Sequence, residues 1–302
     1  MQELASDQPA LGIRTESGTR RFTELLKTRE RIFEEPPHVG IVVGTFAAVP
    51  YIHLQLEARR RFYPETPMLI HDDASPRQPQ LEALCKQYGA YFETNTGRMV
   101  EGKGDLSAFV GGFHWAAERG IDLLVKLSRR FLPLYNWVPE LTSLAFTSQY
   151  ATYCSWTTTF DFGFRSECVG MVVKEWFEHG LVDAIIRELE GKRRPFVEGF
   201  IHDLSRRAAF RNCEAARAFD ELVGARPRER SGYAVWEFMG FDRAVRTIRF
   251  LWHDSAEADE YARIAMLWGL PYDGRDFLDP NEGARESPTD GEVAILSLSK
   301  KR

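Results

Sequence analysis

Two short stretches of opposite charge stand where apolar runs end. Residues 67–70 (PMLI) lead into His71, Asp72, Asp73, Ala74 and Ser75, and residues 123–125 (LLV) lead into Lys126, Leu127, Ser128, Arg129 and Arg130. Neighbouring carboxylates repel, so a pair of them at the end of a strand asks for a reason. A carboxylate there can accept a hydrogen bond from the N–H of a base or from the hydroxyls of a ribose, and a basic cluster can hold a diphosphate. A third apolar run ends in Gly44 and Thr45. In an open α/β sheet, ligands bind outside the carboxyl ends of the parallel strands, near a switch in strand order. Strand ends far apart in sequence can therefore meet at one site. The plainer alternatives are a turn over 72–76 with Asp73 or Ser75 capping the next helix, and two arginines leaving the sheet for solvent.

The elements that must bring these ends together follow from periodicity. Residues 38–46 (HVGIVVGTF) form a nearly continuous β-branched apolar run, the pattern of a buried parallel strand. A helix over 49–63 is stopped by Pro64, the strand 67–75 follows, and a helix over 79–89 closes on Gly89. Residues 90–95 (AYFETN) read as a third strand, 107–120 as a helix with a C-terminal glycine cap, and 121–128 as a fourth strand. Alternation of strand and helix with short links predicts an α/β fold, a mostly parallel sheet flanked by helices. Before it lie a polar arm over 1–20 and a helix over 21–35. After it, Pro139 opens a helix over 134–146, and 150–164 is aromatic and threonine-rich, with hints of β or irregular structure. Helices are expected over 164–180, 182–191, 196–210, 213–224 and 258–269, which makes the second half the more helical one. The expected division is an arm and helix over 1–35, an α/β half over 36–150, a second half over 151–280 and a loose tail over 281–302.

Composition narrows the function classes. The 302 residues are 44% hydrophobic and 27% charged, and the net charge of −5 argues against a nucleic-acid partner. Cys85, Cys154, Cys168 and Cys213 are far apart with no C-x-x-C pair, so reduced thiols are expected rather than a disulfide frame or a zinc site. No run of eighteen apolar residues occurs and residues 1–12 lack a signal-peptide pattern, so the expected location is cytoplasmic, compatible with peripheral membrane contact. Neither H-E-x-x-H nor G-x-S-x-G is present, and His53 and His114 fall within helical patterns as ordinary partly buried residues.

The order of these signals resembles the GT-A nucleotide-sugar glycosyltransferases, and most closely their family 2 type. The likeness runs over residues 38–135: an apolar strand ending in Thr45, a second strand ending Asp72-Asp73-Ala74-Ser75, and a Gly/Ala-rich helix leading to a strand with a charged end. The resemblance implies that Thr45 lines a nucleotide pocket and that Asp72 or Asp73 contacts a uracil-type base or its ribose. It implies transfer of a sugar from a nucleoside diphosphate donor to a hydroxyl of a glycan or glycolipid. The family's fourth strand usually ends in D-x-D, which holds a divalent metal on the diphosphate. Here Lys126, Ser128, Arg129 and Arg130 occupy that end, and lysine and arginine are not metal ligands. Positive side chains can neutralise charge on a departing nucleoside diphosphate, so catalysis without a metal cofactor is expected. A catalytically inactive protein that binds a nucleotide sugar or glycan is the alternative.

An inverting transfer also needs a carboxylate to take the acceptor's proton. The sequence leaves the stereochemistry and the oligomeric state open. Glu167, expected at a helix start, is one candidate, and Glu237 and Asp254, flanked by aromatic residues, are two more; His253 is a fourth, while Glu198 and Asp203 rank lower. A second alternative is a phosphotransferase using residues 97–104 (GRMVEGKG), which nearly spells a phosphate loop but ends in Gly104 where that loop has Ser or Thr. Lys103 would touch phosphate in either reading.

Overall fold

The computed structural model describes residues 32–99, 102–147, 151–156, 164–191, 195–209, 234–235, 244–246 and 255–278. The predicted alternation is present. β1 (Val39–Thr45), α1 (Val49–Phe62), β2 (Met68–Asp72), α2 (Gln78–Tyr88), β3 (Tyr91–Thr94), α3 (Lys103–Glu118) and β4 (Leu123–Ser128) follow one another in the expected order. Local chemistry sets several of their ends. Pro50 stands in the first turn of α1, and Gly89 closes α2 in the left-handed conformation at φ 62°.

Among the described residues, seven strands form one sheet in the order β3-β2-β1-β4-β7-β6-β8, with β6 (Thr152–Trp156), β7 (Phe164–Val172) and β8 (Ala234–Val235) supplied by the second half of the chain. Pairing is parallel for β3-β2, β2-β1, β1-β4 and β6-β8, and antiparallel where β7 meets β4 and β6. The chain steps outward from β1 to β3 and returns to β4 on the other flank. The carboxyl ends of β1 and β4 therefore border a switch in strand order. A small second sheet pairs β5 (Phe131–Pro133) with β9 (Ala244–Arg246).

Helices cover both faces. Val42, Leu69, Leu124, Val169 and Met171 pack beneath α3, α5 (Val173–Glu178), α6 (Leu181–Glu190) and α7 (Val197–Ala209). On the other face, Ile41, Val43, Ile70, Val125 and Leu127 meet α1, α2 and α4 (Val138–Thr147). α8 (Ser255–Leu267) and α9 (Gly274–Leu278) pack on the outer side of α1 through Tyr51, Tyr261 and Phe277. Among the described residues no helix is long and apolar enough to cross a membrane.

Two expectations are corrected. Residues 164–172 are a strand rather than the start of a helix, and only Val173–Glu178 is helical there. The run from Cys168 to Val172 is buried throughout and fills the slot between β4 and β6, where a strand gains backbone partners on both sides. Short apolar runs of this kind fit either state until the neighbours are known. Residues 32–35 are also not helical. The rest of the helix expected over 21–35, the arm, the helix over 213–224 and the tail beyond 278 lie outside the described residues.

α3 lies close to the sheet because glycine faces it. A Cβ at position 112 would stand 2.7 Å from Val42 Cγ1 and 3.3 Å from Leu124 Cδ2. Gly112→Val is accordingly expected to lower stability by about 1–3 kcal/mol through overpacking, read as an earlier urea midpoint; an unchanged midpoint would refute the tight contact.

Candidate functional site

The adjacent acids at the end of β2 part company, because successive residues of a strand face opposite sides of the sheet. Asp72 is fully buried, and its Oδ2 accepts the Ser75 N–H at 2.7 Å and the Thr94 hydroxyl at 3.4 Å. Its Oδ1 is buried with no partner. Thr45, the register partner of Asp72 on β1, also buries a hydroxyl oxygen with no partner. An unmatched buried polar atom costs about 1–3 kcal/mol. Two of them on neighbouring strand ends call for an ordered water or the polar edge of a ligand.

Asp73 turns the other way, toward α3. Its Oδ1 accepts Asn95 Nδ2 at 2.7 Å and the Met99 N–H at 3.0 Å, and a Cβ at Gly104 would overlap its Oδ2. Asn95 also donates to Ser107 Oγ at 2.9 Å, and its Oδ1 lies 3.1 Å from His71 Nε2. Asp73 thus ties the segment after β3 to the start of α3, and it is not directed to the side that Asp72 occupies. Burial raises its pKa to about 6, with the Asn95 and Met99 bonds holding it down against that and Asp72 adding to the rise.

A carboxyl that holds its proton more tightly when folded favours the native state below its unfolded value of 3.8, and that contribution is lost as the pH climbs through about 6. The loss amounts to roughly 2–3 kcal/mol. Asp73→Asn keeps an Oδ1 acceptor for both bonds and cannot titrate. Its stability relative to wild type should therefore rise between pH 4 and 7, measured as urea midpoints at four pH values. Parallel curves would refute the assignment.

The basic segment also divides. Lys126 is 1% exposed and points into the α3 face, where its Nζ lies 2.6 Å from Asp105 Oδ1 and 5.1 Å from the centre of the Phe109 ring. Arg129 leaves β4 in the opposite sense and donates from Nη1 to the carbonyl of Phe46 at 3.1 Å, just beyond Thr45. Arg98, from the segment after β3, lies over the Phe46 ring at 4.1 Å. Two guanidinium groups therefore converge on Phe46 at the end of β1. Ser128 Oγ accepts the Arg130 N–H at 3.4 Å, and Arg130 completes the turn into β5.

In the family that the sequence resembles, a divalent cation on the diphosphate is held at this end of β4. Ammonium and guanidinium groups do not ligate metals, and the Asp105 carboxylate nearby is engaged by Lys126. These residues do not fit such an ion.

Lys103 is placed differently from the sequence expectation. Its buried ammonium donates to the carbonyls of Leu189 and Gly191, where it caps the C-terminal end of α6. A phosphate loop needs that lysine on its phosphate, so the phosphotransferase reading of residues 97–104 loses its central group. Glu167 sits within β7, one residue before Cys168, which opposes Leu127; its backbone therefore lies at the Ser128 end of β4. Glu237, His253 and Asp254 lie outside the described residues. Glu198 and Asp203 are on α7. His53 bridges the hydroxyls of Tyr88 and Tyr272 at 2.9 Å each, a packing role.

Sequence reasoning passed over Asn95, Arg98, Asp105, Ser107 and Gln55. Asn95 is the last residue of the AYFETN run and follows directly on β3, so the strand-end rule that singled out Asp72 also reaches it. Arg98 lies within the segment 97–104, where only Lys103 stood out, and nothing local marks Asp105, Ser107 or Gln55.

No protein-family model and no curated protein matches the sequence. Among solved structures, the chain is similar to the glycosyltransferase GlyE of Streptococcus pneumoniae TIGR4, at 10% identity and a TM-score of 0.41 over 56% of this chain and 43% of that one. It thus spans less than half the length of that enzyme. A cytidylyltransferase from Leptospira borgpetersenii serovar Hardjo-bovis aligns over 84% of this chain and 99% of its own, at 11% identity and a TM-score of 0.42. The mannosyltransferase PcManGT of Pyrobaculum calidifontis, solved with GDP-Man and Mn2+, aligns over 69% and 75%, at 13% identity and a TM-score of 0.41. Likenesses this weak carry no chemistry to the residues of this chain.

Proposed function

We propose that this protein transfers a sugar from a uridine diphosphate sugar to a hydroxyl of a glycan or glycolipid, without a divalent cation. The observation that carries this reading is the pair of unmatched oxygens, Asp72 Oδ1 and Thr45 Oγ1, at a strand-order switch beside the Arg129 turn. A carboxylate oxygen accepts only, so its ligand must present a donor, and a threonine hydroxyl beside it can donate to an acceptor. A uracil ring offers one N–H flanked by carbonyls. Guanine offers two neighbouring N–H groups on that edge, but Asp72 has one oxygen to spare because Oδ2 is taken by Ser75 and Thr94. Both free oxygens are closed off from solvent, so binding entails local movement of the chain around them.

In the transfer step the acceptor oxygen bonds to the anomeric carbon as the bond from that carbon to the β-phosphate oxygen breaks. The acceptor's proton passes to a carboxylate, and the electron pair leaves with the diphosphate. Arg129 and Arg130 would bear the charge that develops there. Glu167 is the described second-half carboxylate closest in strand register to that turn, and we assign it the proton. Glu167→Gln is expected to cut the transfer rate at least a hundredfold with the UDP dissociation constant unchanged; equal turnover would remove it from the mechanism.

The reading as a whole is tested by calorimetry with UDP, GDP, CDP and ADP, each with magnesium and again with EDTA. UDP should bind most tightly, with the same affinity in both. Binding that needs the metal would refute metal independence. A preference for ADP, or no binding at all, would refute the donor site.

A further inference from the structure

The turn from β4 into β5 carries a backbone arrangement that the reading above does not use. Four consecutive carbonyls, those of residues 128 to 131, are all taken up from the side of α1 and α8. Gln55 Nε2 donates to Phe131 O at 2.7 Å and Arg129 O at 3.1 Å, with Ser128 O at 3.5 Å. The Tyr261 hydroxyl donates to Arg130 O. Both side chains are fully buried.

Gln55 is an unusual choice for its position. It lies on α1 beside Leu54 and Leu56, which are buried, and its own Oε1 is buried with no partner. An amide that leaves its oxygen unmatched in the core is costly, and a methionine of similar size would avoid that cost. What the amide supplies is its two N–H groups. Rotating it by half a turn would set its oxygen against three carbonyls, so this orientation is the only one the electrostatics allow. Tyr261 is held just as firmly: its ring stacks on Phe277 at 5.7 Å and meets Tyr51 edge-on at 4.9 Å.

We infer that Gln55 and Tyr261 are positioning residues for the diphosphate of the bound nucleotide. By donating to the four carbonyl oxygens, they offset partial negative charge that would otherwise act on a diphosphate held beside Arg129. A diphosphate there meets guanidinium groups without a row of unmatched carbonyl dipoles. The inference rests on the donor-site reading proposed above, and it concerns the phosphate part alone, not the base.

The test compares UDP with uridine, by calorimetry, on the wild-type protein, Gln55→Met and Tyr261→Phe. Methionine keeps the volume of Gln55, and phenylalanine keeps the stacked ring of Tyr261. Each variant should bind UDP about tenfold more weakly while its affinity for uridine stays that of the wild type. A purely structural role would weaken both ligands together, and that result, or an unchanged UDP-to-uridine ratio, would overturn the inference while leaving the donor site standing. Wild-type protein that binds UDP no better than uridine would overturn the phosphate subsite itself, and with it the donor-site reading. If Gln55→Met fails to fold, Tyr261→Phe, which removes a single hydroxyl, decides alone.

Discussion

Changing Asp72 to asparagine is expected to raise the dissociation constant for UDP about a hundredfold, close to 2.7 kcal/mol, while the melting temperature of the unliganded protein barely moves. The asparagine carbonyl can take over the Ser75 N–H and the Thr94 hydroxyl, the two bonds that Oδ2 makes. Its amide nitrogen then stands where Oδ1 was, and an acceptor has become a donor. An imide N–H facing it would meet two hydrogens instead of a lone pair. Sites built to pair one polar group reject its opposite strongly, because both partners are left unmatched. The same substitution also separates base from ribose as the group that Asp72 holds. A ribose hydroxyl can accept as well as donate, so contact with it would survive with only a few-fold loss. Calorimetry with UDP is the measurement, and an unchanged constant would remove Asp72 from the site.

The second large effect concerns stability. Asp105→Ala takes the carboxylate away from an ammonium that is 1% exposed and 2.6 Å distant. Breaking a buried pair from one side costs about 3–5 kcal/mol, and the lower end applies here because Asp105 itself is 35% exposed. Lys126→Met should cost much less. It fills the same space beside Phe109 with an apolar chain, and the carboxylate left behind can turn to water. Urea unfolding of the two variants tests the asymmetry. Equal losses would mean that the pair is held together by its packing rather than by the burial of its charge.

Much of this arrangement was legible in the chain, and the parts that were not share a cause. The run 38–46 became β1 because a nearly continuous β-branched run has few other ways to bury itself, and the short apolar run 67–70 became the start of β2 beside it. The replacement of acidic by basic residues after β4 was plain from residue type alone. By contrast, residues 164–172 look helical in isolation and are a strand only because β4 and β6 leave a slot between them. Lys103, set in a near match to a phosphate loop, caps a helix that lies 78 residues on in sequence, at Leu181–Glu190.

Asp72 and Asp73 make the point most sharply. Both were visible as acids at a strand end. Strand alternation sends them to opposite faces, but that Asp72 keeps a fully buried oxygen unmatched depends on Ser75 and Thr94 both bonding Oδ2, while Asn95 and Met99 tie Asp73 elsewhere, and these residues come from different parts of the chain. Hydrophobic period, turn residues and charge are local properties, and they determined β1 to β4, the ends of those strands and the chemistry available there. Partnership is not local. Whether a buried polar atom is satisfied, capped or left waiting depends on which elements pack against it, and only the tertiary structure decided that.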